Sequence, residues 1–237
     1  MPGTLYVGTS GYAYKEWKGP FYPEDLAQSK FLTYYAAQLP SVEINYTFRH
    51  LPSDAVLETW RTQTPDGFRL TLKASQRITH FKRLVGAEAD VEEFLRRAVS
   101  LGDRLGVVLF QLPPNFKYQR AVLEPFLASL PPVVRVAMEF RHESWAEPEA
   151  VDLMRAHNVA VCGADTAEHP LAAVPVTAPH VYLRLRKEDY APEELTAWGG
   201  RVRETLAGGS DVYCYFKHEG GGIGPAYAGA LRTAAGA

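Results

Sequence analysis

Acidic, basic and amide side chains stand at the downstream ends of short apolar runs in this chain: Glu43 with Asn45, Lys73 with Ser75, Gln111, Glu139 with Arg141, Asp165, Arg184 and Lys217. Strands buried on both faces are apolar throughout, so polar groups gathered at their ends need a reason. Carboxylates in unequal surroundings have their pKa values pushed apart, which lets one donate a proton while another accepts one. Glu43, Glu139 and Asp165 are the candidates for that acid and base work. Lys73 joins them as a candidate catalytic group, and His80 is the candidate proton shuttle, because an imidazole titrates near neutrality. Arg141 and Arg184 would hold an anion, with Asn45 and Gln111 beside them as further substrate-binding candidates. Nearby carboxylates would raise the Lys73 pKa, so imine chemistry, which needs a neutral amine, is not expected of it. The other reading of these charges is a buried ion-pair network that plugs the fold without chemistry, since such networks also shift pKa values.

Two kinds of loop residue complete the candidate pocket. Tyr12 and Trp17 in the aromatic segment Ser10–Ser29, and Trp145 further on, are placed to wall a pocket or stack on a planar or sugar-like ligand; their other use is as loop anchors. Gly221 and Gly222 lie in His218-Glu219-Gly220-Gly221-Gly222-Ile223-Gly224-Pro225, where glycines before a helix would let backbone N–H groups cradle a phosphate or carboxylate; a plain connector is the alternative. No HExxH and no close His/Cys pair is present, so neither a metal nor a cofactor is expected.

Strands must carry these groups to one place. β-branched or aromatic runs predict eight: Leu5–Thr9, Ser41–Thr47, Phe68–Ser75, Val107–Leu112, Arg135–Arg141, Asn158–Asp165, His180–Arg186 and Val212–His218. Between them, helical spacing predicts helices over Ser53–Gln63, Val91–Leu101, Gln119–Leu130, Pro148–His157, Pro192–Leu206 and Pro225–Thr233. The two-residue period of a strand sets Glu43 with Asn45, Lys73 with Ser75 and Glu139 with Arg141 on one face, leaving Ile44, Leu72, Ala74, Met138 and Phe140 for a helix layer. Eight βα units in a chain of 237 residues fit a closed (β/α)8 TIM barrel, a single domain over 1–237. An open doubly wound sheet would announce itself with GxGxxG after the first strand, and Gly8-Thr9-Ser10-Gly11-Tyr12 does not match.

Composition narrows the function class. With 25 basic and 27 acidic residues the formal net charge is −2, which gives no long-range attraction to nucleic acid or to an anionic membrane. No apolar run is long enough to span a bilayer, and Met1–Gly8 does not read as a secretory signal. Cys162 and Cys214 lie in apolar segments without CxxC spacing, as buried free thiols would, so a cytoplasmic location is expected and no membrane partner.

Several motifs taken together resemble a known family: Gly8-Thr9-Ser10-Gly11-Tyr12 with Trp17 and Phe21-Tyr22-Pro23; Glu43-Ile44-Asn45 with Thr47-Phe48 and Leu51-Pro52; Lys73-Ala74-Ser75 through Ile78-Thr79-His80; Leu109-Phe110-Gln111-Leu112-Pro113-Pro114; Glu139-Phe140-Arg141-His142 with Trp145; Asp165; and Tyr182-Leu183-Arg184. In these, and in their order over nearly the whole chain, the sequence is similar to the YecE-like family, also called domain of unknown function 72. The resemblance implies a TIM-barrel fold and a pocket at these residues, and no particular reaction. Where relatives commonly carry His-Gly after the arginine of the seventh strand, this chain has Arg186-Lys187. Arg49 stands where a tyrosine usually follows Thr-Phe, and Lys217-His218 where Asn-rich sequence usually ends the eighth strand. These changes add cations near the mouth and favour an anionic ligand. The expectation is an enzyme acting on a small anionic molecule, phosphorylated or sugar-like, by carboxylate acid–base chemistry. The alternatives are a nucleic-acid binding or processing protein resembling barrel endonucleases, with Arg49, Arg77, Lys82 and Arg83 as its footprint, and a non-catalytic ligand-binding barrel.

Overall fold

The computed structural model describes residues 1–218 and 220–237. Eight parallel strands, β1 (Leu5–Thr9), β2 (Ser41–Ile44), β3 (Arg69–Lys73), β4 (Leu105–Gln111), β5 (Val136–Glu139), β6 (Ala160–Asp165), β7 (His180–Leu185) and β8 (Asp211–Phe216), pair in the order β1-β8-β7-β6-β5-β4-β3-β2. Helices α1 (Phe31–Gln38), α2 (Asp54–Gln63), α3 (Glu88–Val99), α4 (Arg120–Ser129) and α5 (Pro148–Ala156) follow the first five strands, and α6 (Pro192–Ala207) and α7 (Ile223–Ala235) follow β7 and β8. The fold is the expected α/β barrel, with two differences from the sequence reading.

No helix joins β6 to β7 among the described residues. Pro170, Pro175 and Pro179 punctuate that segment, and each removes a backbone donor and restricts the residue before it. The unpredicted helix is α1. Its sequence, FLTYYAAQ, is apolar on almost every side, so it shows little of the two-faced pattern that marks a surface helix.

Closure of the barrel depends on α1. The β1–β2 seam carries one bridge, Ser10 to Glu43, with the Gly11 N–H donating to the Glu43 carbonyl at 2.8 Å. Below it the Tyr35 hydroxyl stands in for the missing ladder, accepting from the Thr9 N–H (2.8 Å) and donating to the Ser41 carbonyl (3.0 Å). Gly8 makes room for this approach, since a Cβ there would lie 1.9 Å from the Ser41 oxygen. Tyr35→Phe would leave a buried N–H and a buried C=O short of a partner and should cost about 1–3 kcal/mol in urea unfolding. An unchanged midpoint would show that the seam holds without the hydroxyl.

The lumen is filled in layers. Tyr6 stacks on Tyr213 at 4.7 Å near the bottom. Above, the Tyr215 hydroxyl bonds Ser41 Oγ and Thr71 Oγ1, each at 2.7 Å, among Val107, Leu109, Ala137 and Tyr182. The outer face of the sheet packs the main apolar core against the helices. Polar groups fill the remaining end of the lumen.

Candidate functional site

Strand parity selects which side chains reach the upper lumen. Tyr182, Arg184 and Arg186 alternate along β7 and its exit, and Glu139 with Arg141 does so on β5. Arg184 is buried at the centre: one nitrogen donates to Glu139 Oε2 (2.6 Å), the other to Glu43 Oε1 (2.9 Å), with a long 3.5 Å contact to Gln111. Tyr182 donates to Glu43 Oε2 at 2.5 Å. The remaining oxygen, Glu139 Oε1, accepts from Arg141 Nε (3.0 Å) and from Arg186 (3.2 Å). All four carboxylate oxygens are therefore occupied.

These contacts decide the protonation states. Burial alone would raise the Glu139 pKa, but Arg184, Arg141 and Arg186 outweigh it and hold it at about 2. Burial of Glu43 is likewise outweighed, by Arg184 and the hydrogen bond from Tyr182, so it too lies below the usual carboxylate range. Both are fixed anions at neutral pH, so neither has a proton to donate.

Lys73 departs from expectation in the opposite direction. Burial, then Arg184, push its pKa down to about 8 against the pull of Glu43 and Glu139. The expected rise does not occur because the guanidiniums occupy the carboxylate oxygens, leaving Lys73 without an ion pair among the described residues. Its Nζ lies instead 4.1 Å from the Phe48 ring centroid. His80 meets the same ring edge-on at 5.0 Å, on a π-helical turn over Arg77–Phe81. Its Nδ1 pairs with Thr79 Oγ1 at 2.9 Å, and burial with Lys73 and Arg141 lowers its pKa, so it is neutral at pH 7.

Arg141, Arg186 and Glu139 line a cavity of about 850 Å³ at the barrel mouth, with Ala164, Thr166 and His169 on the β6 side. Gln111 belongs to this cluster through Arg184. Asp165 does not. Cys162 faces the lumen, so Asp165 turns outward, accepting from the Leu171 N–H (2.8 Å) and the Tyr190 hydroxyl (3.0 Å) to secure the β6–β7 segment. The expectation that Asp165 shares one pocket with Glu43 and Glu139 is corrected accordingly.

Asn45 lies beyond the end of β2, where a 3-10 turn over Tyr46–Phe48 ends the alternation. With Tyr12, Tyr46 and Trp60 it lines a separate cavity of about 430 Å³, and its Oδ1 is buried without a partner among the described residues. Trp17 is fully buried in an aromatic cluster with Tyr14, Phe21 and Tyr22. Trp145 stacks on Phe140 at 4.3 Å and donates to the Phe116 carbonyl at 2.6 Å. Both tryptophans anchor loops. Gly221 and Gly222 have φ of 60° and 67°; a Cβ on Gly222 would lie 2.9 Å from Pro20, so Gly222 admits the first loop, whereas one on Gly221 would meet open space, and neither glycine is among the residues lining the mouth cavity. Glu219 of the same loop lies outside the described residues.

Arg186 reaches the mouth as its expected added cation, and Tyr182 is the site member to which the sequence reading gave no role, though its spacing from Arg184 and Arg186 places all three on one strand face. Lys187, one residue out of phase, points away and pairs with Glu194 at 2.7 Å. Arg77 and Lys82 of the expected nucleic-acid footprint both pair with Asp90, at 2.8 and 2.6 Å. Among the described residues no three His, Cys, Asp or Glu side chains gather as a metal-holding group, and no helix is long and apolar enough to cross a membrane. Both cysteines are buried free thiols.

Comparison with known proteins agrees with the fold. A DUF72 family protein from Thermotoga maritima MSB8 superposes with a TM-score of 0.85 at 29% identity, covering 99% of this chain and 100% of that one. One from Enterococcus faecalis V583 has a TM-score of 0.81 at 17% identity over 99% and 96% of the two chains, a likeness of fold alone. UPF0759 protein YunF of Bacillus subtilis (strain 168) is 29% identical over 152 residues, 61% of this chain and about half (53%) of that protein. The family described as "Protein of unknown function DUF72" matches residues 6–237, and the chain belongs to it.

Proposed function

We propose that the barrel mouth binds a small anionic molecule through Arg141 and Arg186, and that the protein is an enzyme acting on it. The observation that carries this reading is the sharing of Glu139 Oε1 by both guanidiniums at 3.0 and 3.2 Å. Each arginine is oriented by one nitrogen, and the other guanidinium nitrogens have no partner among the described residues. Two carboxylates, Glu43 and Glu139, face Arg141, Arg184, Arg186 and Lys73, so the upper lumen carries an excess of positive charge. Burial and the neighbouring guanidiniums already press against the charge on Arg186, which an incoming anion would relieve.

On this reading the catalytic roles differ from a carboxylate acid–base pair. Glu43 and Glu139 position the arginines, Lys73, with a pKa of about 8, gives and takes a proton near neutrality, and the neutral His80 is placed to accept one. Arg184 holds both carboxylates and does not reach the ligand. The pairing of Arg77 and Lys82 with Asp90 weakens the nucleic-acid alternative. Free thiols suit a reducing, cytoplasmic setting.

The test is thermal stabilisation by phosphate esters against matched neutral sugars. Arg186→Gln should weaken binding of the charged member about 10- to 100-fold, the worth of a charge-assisted hydrogen bond of about 1.5–3 kcal/mol. Equal stabilisation by both members in the unaltered protein would overturn the reading. Stabilisation without turnover of any screened anion would keep the binding site and remove the enzyme.

A further inference from the structure

We propose that Lys73 is a nucleophile that captures a carbonyl compound bearing an anionic group, forming an imine at the barrel mouth; the inference rests on the anion-binding reading above. A lysine beside two buried carboxylates would ordinarily pair with one of them. Here Arg184 takes one oxygen from each, Tyr182 takes the second of Glu43, and Arg141 with Arg186 take the second of Glu139. Lys73 is the one cation of this lumen cluster left unpaired with a carboxylate among the described residues, and it is only partly buried.

The groups around it suit amine chemistry. Burial and the Arg184 and Arg141 charges favour the neutral amine and outweigh Glu43 and Glu139, and the pKa of about 8 leaves about a tenth of the chains with the free amine at pH 7. The Phe48 face supports the ammonium and is the contact an incoming carbonyl displaces. His80, neutral and packed on the same ring, has Nδ1 engaged by Thr79 and Nε2, without a hydrogen-bond partner among the described residues, to relay protons. Arg141 and Arg186 would hold the carboxylate or phosphate of the substrate.

The step balances without a redox partner. The amine lone pair forms the C–N bond while the carbonyl π pair moves to oxygen, which takes a proton. The nitrogen loses its proton, the carbinolamine hydroxyl gains one and leaves as water, and the nitrogen lone pair closes C=N.

The experiment is borohydride trapping of the full-length protein with pyruvate or glyceraldehyde 3-phosphate, beside acetone and glyceraldehyde, followed by intact mass and peptide mapping. The expected result is one reduced adduct per chain, on Lys73, formed about tenfold or more faster than on the exposed Lys15 or Lys30 and accelerating as pH rises toward 8. Lys73→Arg, which keeps the charge, should remove it. Adducts spread over surface lysines, or none, would overturn the proposal. If Lys73 is labelled equally by neutral and anionic carbonyls, and equally in Arg186→Gln, the nucleophile stands and the anion-binding reading fails. If anions stabilise the protein and Lys73 stays unlabelled, the reverse holds.

Discussion

Arg184→Met should cost about 3–5 kcal/mol of stability or prevent folding, because it leaves two buried carboxylates without their main counter-charge. Arg184 reaches Glu43 at 2.9 Å and Glu139 at 2.6 Å, and all three side chains are at most 2% exposed. Adding Glu43→Gln and Glu139→Gln to the methionine variant should recover much of the loss, since no uncompensated charge then remains. The pH dependence gives an independent check. Without Arg184, burial of Glu43 is opposed chiefly by the Tyr182 hydrogen bond and the Lys73 charge and should raise its pKa above the unfolded value, whereas Glu139 keeps Arg141 and Arg186. Stability from a raised carboxyl pKa is present below the unfolded pKa and lost as pH rises through the folded one, so in a His180→Gln background, which takes away the acid-side loss from that buried histidine, this variant should be more stable at pH 4 than at pH 7. Urea midpoints at the two pH values measure this, and a loss under about 1 kcal/mol at pH 7 would show that the triad is not the electrostatic keystone of the barrel.

The unaltered protein should behave in the opposite way, losing stability in acid in two stages. His180, at the bottom of the lumen, is 3% exposed, and its Nε2 lies 3.0 Å from the Val136 carbonyl. Burial pushes its pKa from 6.5 down to about 4. A folded pKa depressed in this way gives stability that is present above pH 6.5 and lost as pH falls from there toward 4, about 3 kcal/mol in all. Glu139, depressed from 4.5 to about 2, contributes a second loss of similar size between those values. His180→Gln should shrink the upper stage to what His80 and His218, also lowered by burial, contribute, and leave the lower one. A single transition confined below pH 4.5 in the unaltered protein would show that His180 is protonated without penalty.

The chain's own pattern was sufficient for the barrel. Eight apolar runs with polar ends, separated by helical spacing, have few ways to bury themselves, and closure into one ring brings every downstream end to the same mouth. It was also sufficient for the pairing of Glu139 with Arg141 on one strand face, because the two-residue period is local. Asp165 was less legible. Ala160–Asp165 is apolar on both faces, so nothing in its pattern says which face is lumen, and a shift of one residue moves Asp165 from the mouth to the outer wall. Trp17 and Trp145 read equally as pocket walls or anchors until the fold closes their local neighbours Tyr22 and Phe140 onto them and brings Phe116 to Trp145 from 29 residues away.

The protonation of Lys73 depended most on the tertiary structure. Sequence placed it correctly among carboxylates, and from that alone a raised pKa was the reasonable expectation. Whether those carboxylates are free to pair with it depends on Arg184, contributed by a strand more than a hundred residues later, and on Arg186 and Tyr182 beside it. Strand periodicity is a property of neighbours along the chain and can be read from it, whereas a charge balance is set by distances and burial among residues that only the closed barrel brings together.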